Sequence, residues 1–412
     1  MHSILTIPAP PTRRVKSGPG QFPILACPNP PRDPPGCGYP AEERLSRRLK
    51  SDPQLTLILG PPSSGKTALA RHVASQTRPD GTPEFHPLTV NLRAVDRFHD
   101  GSFLRAFVRN GIRAAEIDPF WERPFRGFDD LARVLYSNPP QDVPSSLMAA
   151  EVFNELAHRL QPLSYYTRES VRAPVLIIDE ANHFRKMSDK AIMTFLDFAV
   201  RMTTKEKKMH IIMTSSDSFF LEWIGRCINP TYLDWFVLGD MTRDEAHRYF
   251  LHALETDCRL SEEKKAMLGS VDSDTIYRLT GGRPIFIESY IRQVHQSGFF
   301  VDPLRFQPVR QAYGCMFNSL GDEPKTYGKA ETLAVSSLLV TSPGHHTSYG
   351  NLALKLGLPV VEEMFERNFL QYRPPSTFSR DLDPSPHETV VTAQSQPCLR
   401  AMEWFVNSHR NK

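Results

Sequence analysis

Apolar residues fall along this chain in short solid blocks that alternate with stretches of helical spacing. Leu55 to Leu59, Leu88 to Leu92, Val175 to Ile178 and His210 to Met213 have strand length, and Asp234 to Leu238 is a last candidate. A block that is almost wholly apolar suits a strand buried on both faces. Between them lie helix-like segments at Pro40 to Lys50, Thr67 to Ala74, Ser102 to Ala115 and Ala191 to Thr203. Met148 to Leu160 joins them, with Val152, Leu156 and Leu160 on one helix face. Parallel strands need a crossover, so this alternation predicts an α/β fold, a mostly parallel sheet between two helical layers. A Pro- and aromatic-rich insertion, Asp118 to Pro144, interrupts the pattern.

From Thr242 the chain turns helical through Tyr249, Glu262 to Leu268 and Asp272 to Leu279, until Gly281 and Gly282 break it. Pro284 to Gln296 then reads as a helix with proline in its first turn, where the missing N–H costs nothing. Further helices are predicted at Val309 to Leu320 and Glu331 to Val340, then a polar turn over Ser342 to Gly350. Two short helices follow, Asn351 to Leu356 and Pro359 to Arg367, with strands at Phe369 to Tyr372 and Glu388 to Ala393 and a closing helix through Trp404. Helices followed by a two-stranded wing outline a winged helix. The expected divisions are therefore a tail (1–40), a core (41–240), a helical lid (241–300) and a winged-helix-like unit (301–412).

Composition narrows the field. The chain has 412 residues, enough for more than one packed domain. Its formal charge of +3, from 49 basic and 46 acidic residues, favours neither a nucleic-acid nor a membrane partner. The cysteines show no CxxC pair and no Cys/His cluster at metal-ligand spacing, which argues against a disulfide framework or a zinc site. With no apolar run of membrane-spanning length and no secretory signal, the expectation is a soluble intracellular protein. The first 32 residues carry no acid but hold eight prolines, so a disordered tail is expected over an organelle-targeting helix.

The chemistry concentrates where strands end. Gly60-Pro61-Pro62-Ser63-Ser64-Gly65-Lys66-Thr67 fits GxxxxGK[ST], follows an apolar strand and opens the helix Thr67 to Ala74, with Ala68 a further nucleotide-binding candidate. In that setting backbone N–H groups and a helix start gather around phosphates, Lys66 reaches the β and γ phosphates, and the Thr67 hydroxyl meets Mg2+. Val175 to Ile178 delivers Asp179 and Glu180 to the carboxyl edge of the sheet. Asp179 is expected to hold Mg2+ through water, and Glu180 to orient the water that attacks ATP. Thr214 and Ser215 end the next strand, where a hydroxyl senses the γ phosphate or simply caps a turn; Thr214 is the candidate taken forward.

These features, with Gly225-Arg226 and Thr280-Gly281-Gly282-Arg283-Pro284 in the same order, resemble the AAA+ superfamily of P-loop ATPases over about Glu42 to Tyr290. Within it they are similar to the STAND-type and archaeal ATPase families. The resemblance implies a GxP lid at Gly282-Arg283-Pro284, with Pro284 near the adenine, and allows Arg226 to reach a neighbouring subunit's ATP; an ordinary solvated arginine is the other reading of Arg226. The resemblance also allows Arg283 to reach the phosphates as a second sensor, but as the variable position of that motif it is expected on the surface. The motif that opens the family is altered here to Gly38-Tyr39-Pro40-Ala41-Glu42-Glu43. Asn182 and His183 read as loop residues that set the turn after Glu180.

The resemblance further implies a winged helix that clamps the ADP form, hence a nucleotide-driven switch that binds ATP and ADP and recruits a protein partner or a second copy. The rival reading is a DNA- or RNA-associated AAA+ ATPase. Against it, the candidate recognition helix carries Glu362, Glu363 and Glu366 beside a single Arg367, which would repel phosphates. A binding-only protein is disfavoured because Lys66, Thr67, Asp179 and Glu180 are all present.

Overall fold

A computed structural model describes residues 40–96, 98, 101–137, 145–168, 171–187, 190–257, 259–300, 302–318 and 326–410. The expected tail up to residue 39 lies outside the described residues, as do 138–144 of the insertion and the end of the helix expected to reach Leu320. The described residues, all between 40 and 410, belong to one compact unit.

The chain enters through α1 (Pro40–Leu49), whose Ala41, Leu45 and Leu49 are buried. It continues with β1 (Leu55–Leu59), α2 (Lys66–Ala74), β2 (Pro87–Asn91) and α3 (Ser102–Ile117). The described part of the insertion, for which the sequence pattern predicts no elements, folds into α4 (Glu122–Phe125) and α5 (Phe128–Ser137). Trp121, Phe125 and Phe128 are buried there, so aromatic packing onto α3 overrides a poor local propensity. Then come α6 (Ser145–Arg159), α7 (Leu163–Arg168), β3 (Val175–Asp179), α8 (Ala191–Val200), β4 (His210–Ser215), α9 (Phe220–Cys227) and β5 (Leu233–Val237).

The five strands pair in parallel in the order β2-β3-β4-β1-β5. All residues of β1, β3 and β4 are buried. Each buried leucine or isoleucine contributes about 1.5–3 kcal/mol, which is why these central strands read as solid apolar blocks. The fold is the α/β class expected from the sequence.

The helical segment comprises α10 (Arg243–Thr256), α11 (Glu262–Gly269), α12 (Ser273–Thr280) and α13 (Pro284–Ser297). A capping box between Thr242 and Glu245 fixes the start of α10. Next are α14 (Gln307–Asn318), α15 (Lys329–Thr341), β6 (His346–Ser348), α16 (Tyr349–Leu356), α17 (Leu358–Glu366), β7 (Leu370–Arg373), β8 (Val390–Ala393) and α18 (Gln396–Arg410). The small sheet has three antiparallel strands, β6-β8-β7, not the expected two. The turn expected over Ser342 to Gly350 contains β6, whose three polar residues are recruited by pairing with β8. Both the helical segment and this sheet share one core, from Phe250 and Tyr290 to Val391 and Phe405.

Candidate active site

The site sits at the carboxyl edge of the parallel sheet. Gly60 leaves β1 with φ 152°, and a Cβ there would lie 2.2 Å from the Leu238 carbonyl oxygen, so only glycine fits. The loop Pro61, Pro62, Ser63, Ser64, Gly65 then wraps into α2, with Lys66, Thr67 and Ala68 in its first turn. The Lys66 ammonium, buried, donates to the carbonyls of Gly60 at 3.0 Å and Pro61 at 2.7 Å. Burial pushes its pKa down to about 8, outweighing the upward pull of the Glu180 carboxylate.

Strand order explains the next cluster. Asn91 is in register with Asp179 across β2 and β3, and Ile178 with Met213 across β3 and β4. Polar residues ending three adjacent strands therefore meet. Asp179, 4 % exposed, accepts from the Thr67 hydroxyl at 2.5 Å and the Thr214 hydroxyl at 2.8 Å, both on Oδ1. Its Oδ2 accepts from the Asn91 amide at 2.8 Å and lies 3.8 Å from the Arg71 guanidinium. A buried carboxylate needs such donors in place of the water it has lost.

Glu180 has φ 59°, a left-handed conformation uncommon for its type, and pairs with Arg93. Its backbone N–H faces Thr214 Oγ1 at 3.4 Å. The two hydroxyls that sequence left as alternatives separate cleanly, because Ser215 Oγ accepts from the Asp217 N–H at 3.1 Å within the turn while Thr214 joins Asp179. Asn182 and His183 are buried in a 3-10 helix spanning Ala181–Lys186.

The structure thus brings together Lys66, Thr67, Asp179, Glu180 and Thr214. Arg226 stands apart on α9, its side chain 81 % exposed and 3.7 Å from Glu222 one turn back. Pro284, half-buried, is the first residue of α13. Gly282 before it lies against the backbone of Met241, whose oxygen would be 2.0 Å from a Cβ.

Arg283 requires a correction. Expected on the surface, it is 3 % exposed, donates to Asp240 at 2.8 and 3.1 Å and also binds the Gln394 carbonyl. Its guanidinium ties Asp240, just past β5, to the Gln394 carbonyl that follows β8. Nearby, the connection between β7 and β8 lies on β5. Ser376 Oγ donates to the Val237 carbonyl at 2.9 Å and accepts from the Val237 N–H at 3.3 Å, and the Gly239 N–H donates to the Phe378 carbonyl at 3.1 Å. A buried Arg373–Asp381 pair at 2.7 Å closes this strap.

Sequence reasoning missed Asn91, Arg93, Arg71 and Asp240. Asn91 was detectable as the one amide at the end of a strand, had β2 not been extended to Leu92.

No group of three or more His, Cys, Asp or Glu that could hold a metal occurs among the described residues. The two oxygen donors, Thr67 and Asp179, fit a hard cation that keeps most of its water.

A parallel sheet with a GxxxxGK[ST] loop after β1 and an acidic pair at the end of β3, with β4 between them, defines the class as AAA+ P-loop ATPases. The sequence pattern of the family described as an ATPase domain predominantly from Archaea matches residues 43–290, and the chain belongs to that family. Nucleotide binding and ATP hydrolysis are the chemistry of that family. A search of curated proteins found no match. Among solved structures, the chain is similar to a Walker-type ATPase of Pyrococcus abyssi, with 14 % identity, TM-score 0.48, and coverage of 88 % of this chain and 94 % of that one. It is also similar to Cdc6p from Pyrobaculum aerophilum, with 12 % identity, TM-score 0.39 and coverage of 92 % and 97 %. The Aeropyrum pernix Orc1 protein, solved with DNA, has 14 % identity, TM-score 0.37 and coverage of 90 % and 92 %. No helix among the described residues is long and apolar enough to cross a membrane.

Proposed function

We infer that the protein is a Mg2+-dependent ATPase that works as a nucleotide-driven switch of the STAND type. The observation that carries this reading is the single carboxylate of Asp179 shared by Thr67 and Thr214 beside the buried Lys66 ammonium. Gly60 to Ala68 cradle the phosphates, Lys66 holds the β and γ groups, and Thr67 with Asp179 hold the metal. The metal, when bound, neutralises phosphate charge. Glu180 orients the attacking water once it leaves Arg93, and Thr214 bridges Asp179 and the Glu180 backbone so that it senses the γ phosphate. Pro284 borders the adenine, and Arg226, free to reach outward, serves a neighbouring subunit's nucleotide.

Residues 41–240 are the ATPase core, 241–300 the lid and 301–412 a winged-helix-like unit. What supports a switch is that Arg283 and the strap join all three at Asp240 and Val237, close to the phosphate loop. A ligand shifts such an equilibrium only by binding its two states differently. The output is recruitment of a protein partner or a second copy. Nucleic acid is the less favoured partner, because Glu362, Glu363 and Glu366 line α17.

The test uses Glu180→Gln. Its kcat should fall about a hundredfold with ATP affinity retained, and Mg2+ chelation should abolish turnover in the unmodified protein. The trapped ATP form should change mass in solution. Turnover at the normal rate in Glu180→Gln rejects the role of Glu180, and DNA-stimulated turnover at low salt selects the nucleic-acid reading.

A further inference from the structure

The 3-10 helix that follows Glu180 ends near a turn that follows β4. Arg185 in that helix donates to Asp217 Oδ2 at 2.5 Å, and its guanidinium lies 5.8 Å from the centre of the Phe219 ring. Asp217 is fixed in turn. Its N–H donates to Ser215 Oγ at 3.1 Å, and its Oδ1 accepts from the Phe219 N–H at 2.8 Å. Two segments that leave the site, one after Glu180 and one after Thr214, are thereby locked by one ion pair.

Phe219 carries the contact outward. Its ring is 5.8 Å from Phe365 of α17, edge to face, and 6.3 Å from Tyr372 of β7. Tyr349 of α16 closes the group at 5.2 Å from Tyr372. Packed aromatic rings do not deform continuously, so a shift of α17 and β7 must move Phe219 or break its contacts. Arg185 and Asp217, 28 % and 17 % exposed at their side chains, are shielded enough for the pair to hold its geometry.

We propose that Arg185 is a positioning residue that sets Glu180 and Thr214 relative to each other and makes ATP turnover depend on the seating of the C-terminal sheet on Phe219. The proposal rests on the hydrolytic reading of Glu180.

The experiment takes the full chain with Arg185→Ala, Arg185→Lys and Phe219→Leu. Arg185→Ala should lower kcat about tenfold with the KM for ATP within about twofold, and Arg185→Lys should recover most of the loss. Phe219→Leu should lower kcat in the same direction. A second readout, hydrogen exchange in the Glu180→Gln background, follows residues 217–223 and 365–373 on addition of Mg2+ and ATP. Both segments should gain protection together, and Arg185→Ala should uncouple them. A kcat within twofold of the unmodified protein, or a lowered Tm with kcat per folded molecule unchanged, overturns the proposal. If the unmodified protein does not hydrolyse ATP, the hydrolytic reading fails alone and exchange decides the brace. Uncoupling then supports it, whereas a joint response that survives Arg185→Ala, or no response at 365–373, overturns it.

Discussion

Two clusters of buried charge lie close together in this molecule, one at the sheet edge and one where the start of α13 meets the C-terminal sheet, and they are built in opposite ways. At the sheet edge, Asp179 and Lys66 are held mostly by neutral partners, hydroxyls, an amide and loop carbonyls. At the junction, Arg283 with Asp240 and Arg373 with Asp381 neutralise each other directly. Neutral partners leave a charge available to an incoming ligand. Paired charges are already satisfied, and losing one strands the other. The first arrangement is suited to binding, the second to fastening.

Mutation should reverse the outcomes. Lys66→Ala is expected to weaken ATP binding about a thousandfold, near 4 kcal/mol, with the unfolding free energy little changed because a desolvated ammonium is removed. Equilibrium binding and a denaturant titration of the same sample measure both. Arg283→Ala should instead lower stability by about 3 kcal/mol, since Asp240 and the Gln394 carbonyl lose their donor, with ATP affinity falling less than in Lys66→Ala. Arg283→Lys should recover only part, lacking the planar fork that reaches both groups. Equal losses of stability in the two alanine variants would dissolve the distinction.

A pH titration sharpens the contrast. With its pKa at about 8 in the folded chain against 10.5 for the free side chain, Lys66 opposes folding below pH 8, and stability rises as pH climbs from 8 to 10.5. ATP affinity should run the other way. It should fall about thirtyfold between pH 7 and 9.5 as the ammonium deprotonates, and calorimetry in two buffers at pH 8.5 should detect proton uptake on binding. The smallest effect is expected from Asn91→Ala, about 1 kcal/mol in Mg2+-ATP binding, because Asp179 keeps its other donors. A loss as large as that of Lys66→Ala would mean that the amide orients the carboxylate.

The same contrast governs what could be read from sequence. Gly60 to Thr67 and Asp179-Glu180 were legible because each motif is continuous and its strand announces itself by apolarity. Thr214 was reached because a hydroxyl ends an apolar strand. Asn91 was hidden by a strand boundary set one residue too far. Arg283 was misjudged because its partners are 43 and 111 residues away, and no local pattern encodes them. Likewise, His346-Thr347-Ser348 contains nothing apolar to mark it as a strand, and becomes one only against β8. The helices of the insertion were obscured by prolines whose cost is met by aromatic packing.

The strap across β5 has a consequence for handling the protein. β5 is the last strand of its sheet, and strand edges with open N–H and C=O groups invite pairing with other chains. Ser376 and Phe378 occupy those groups at Val237 and Gly239. A chain shortened at residue 300 would keep Gly60 to Ala68, Asp179, Glu180 and Thr214 and lose this cover, so its solubility should fall although the sheet-edge cluster is intact. The C-terminal sheet is in this sense a chaperone carried by the fold itself.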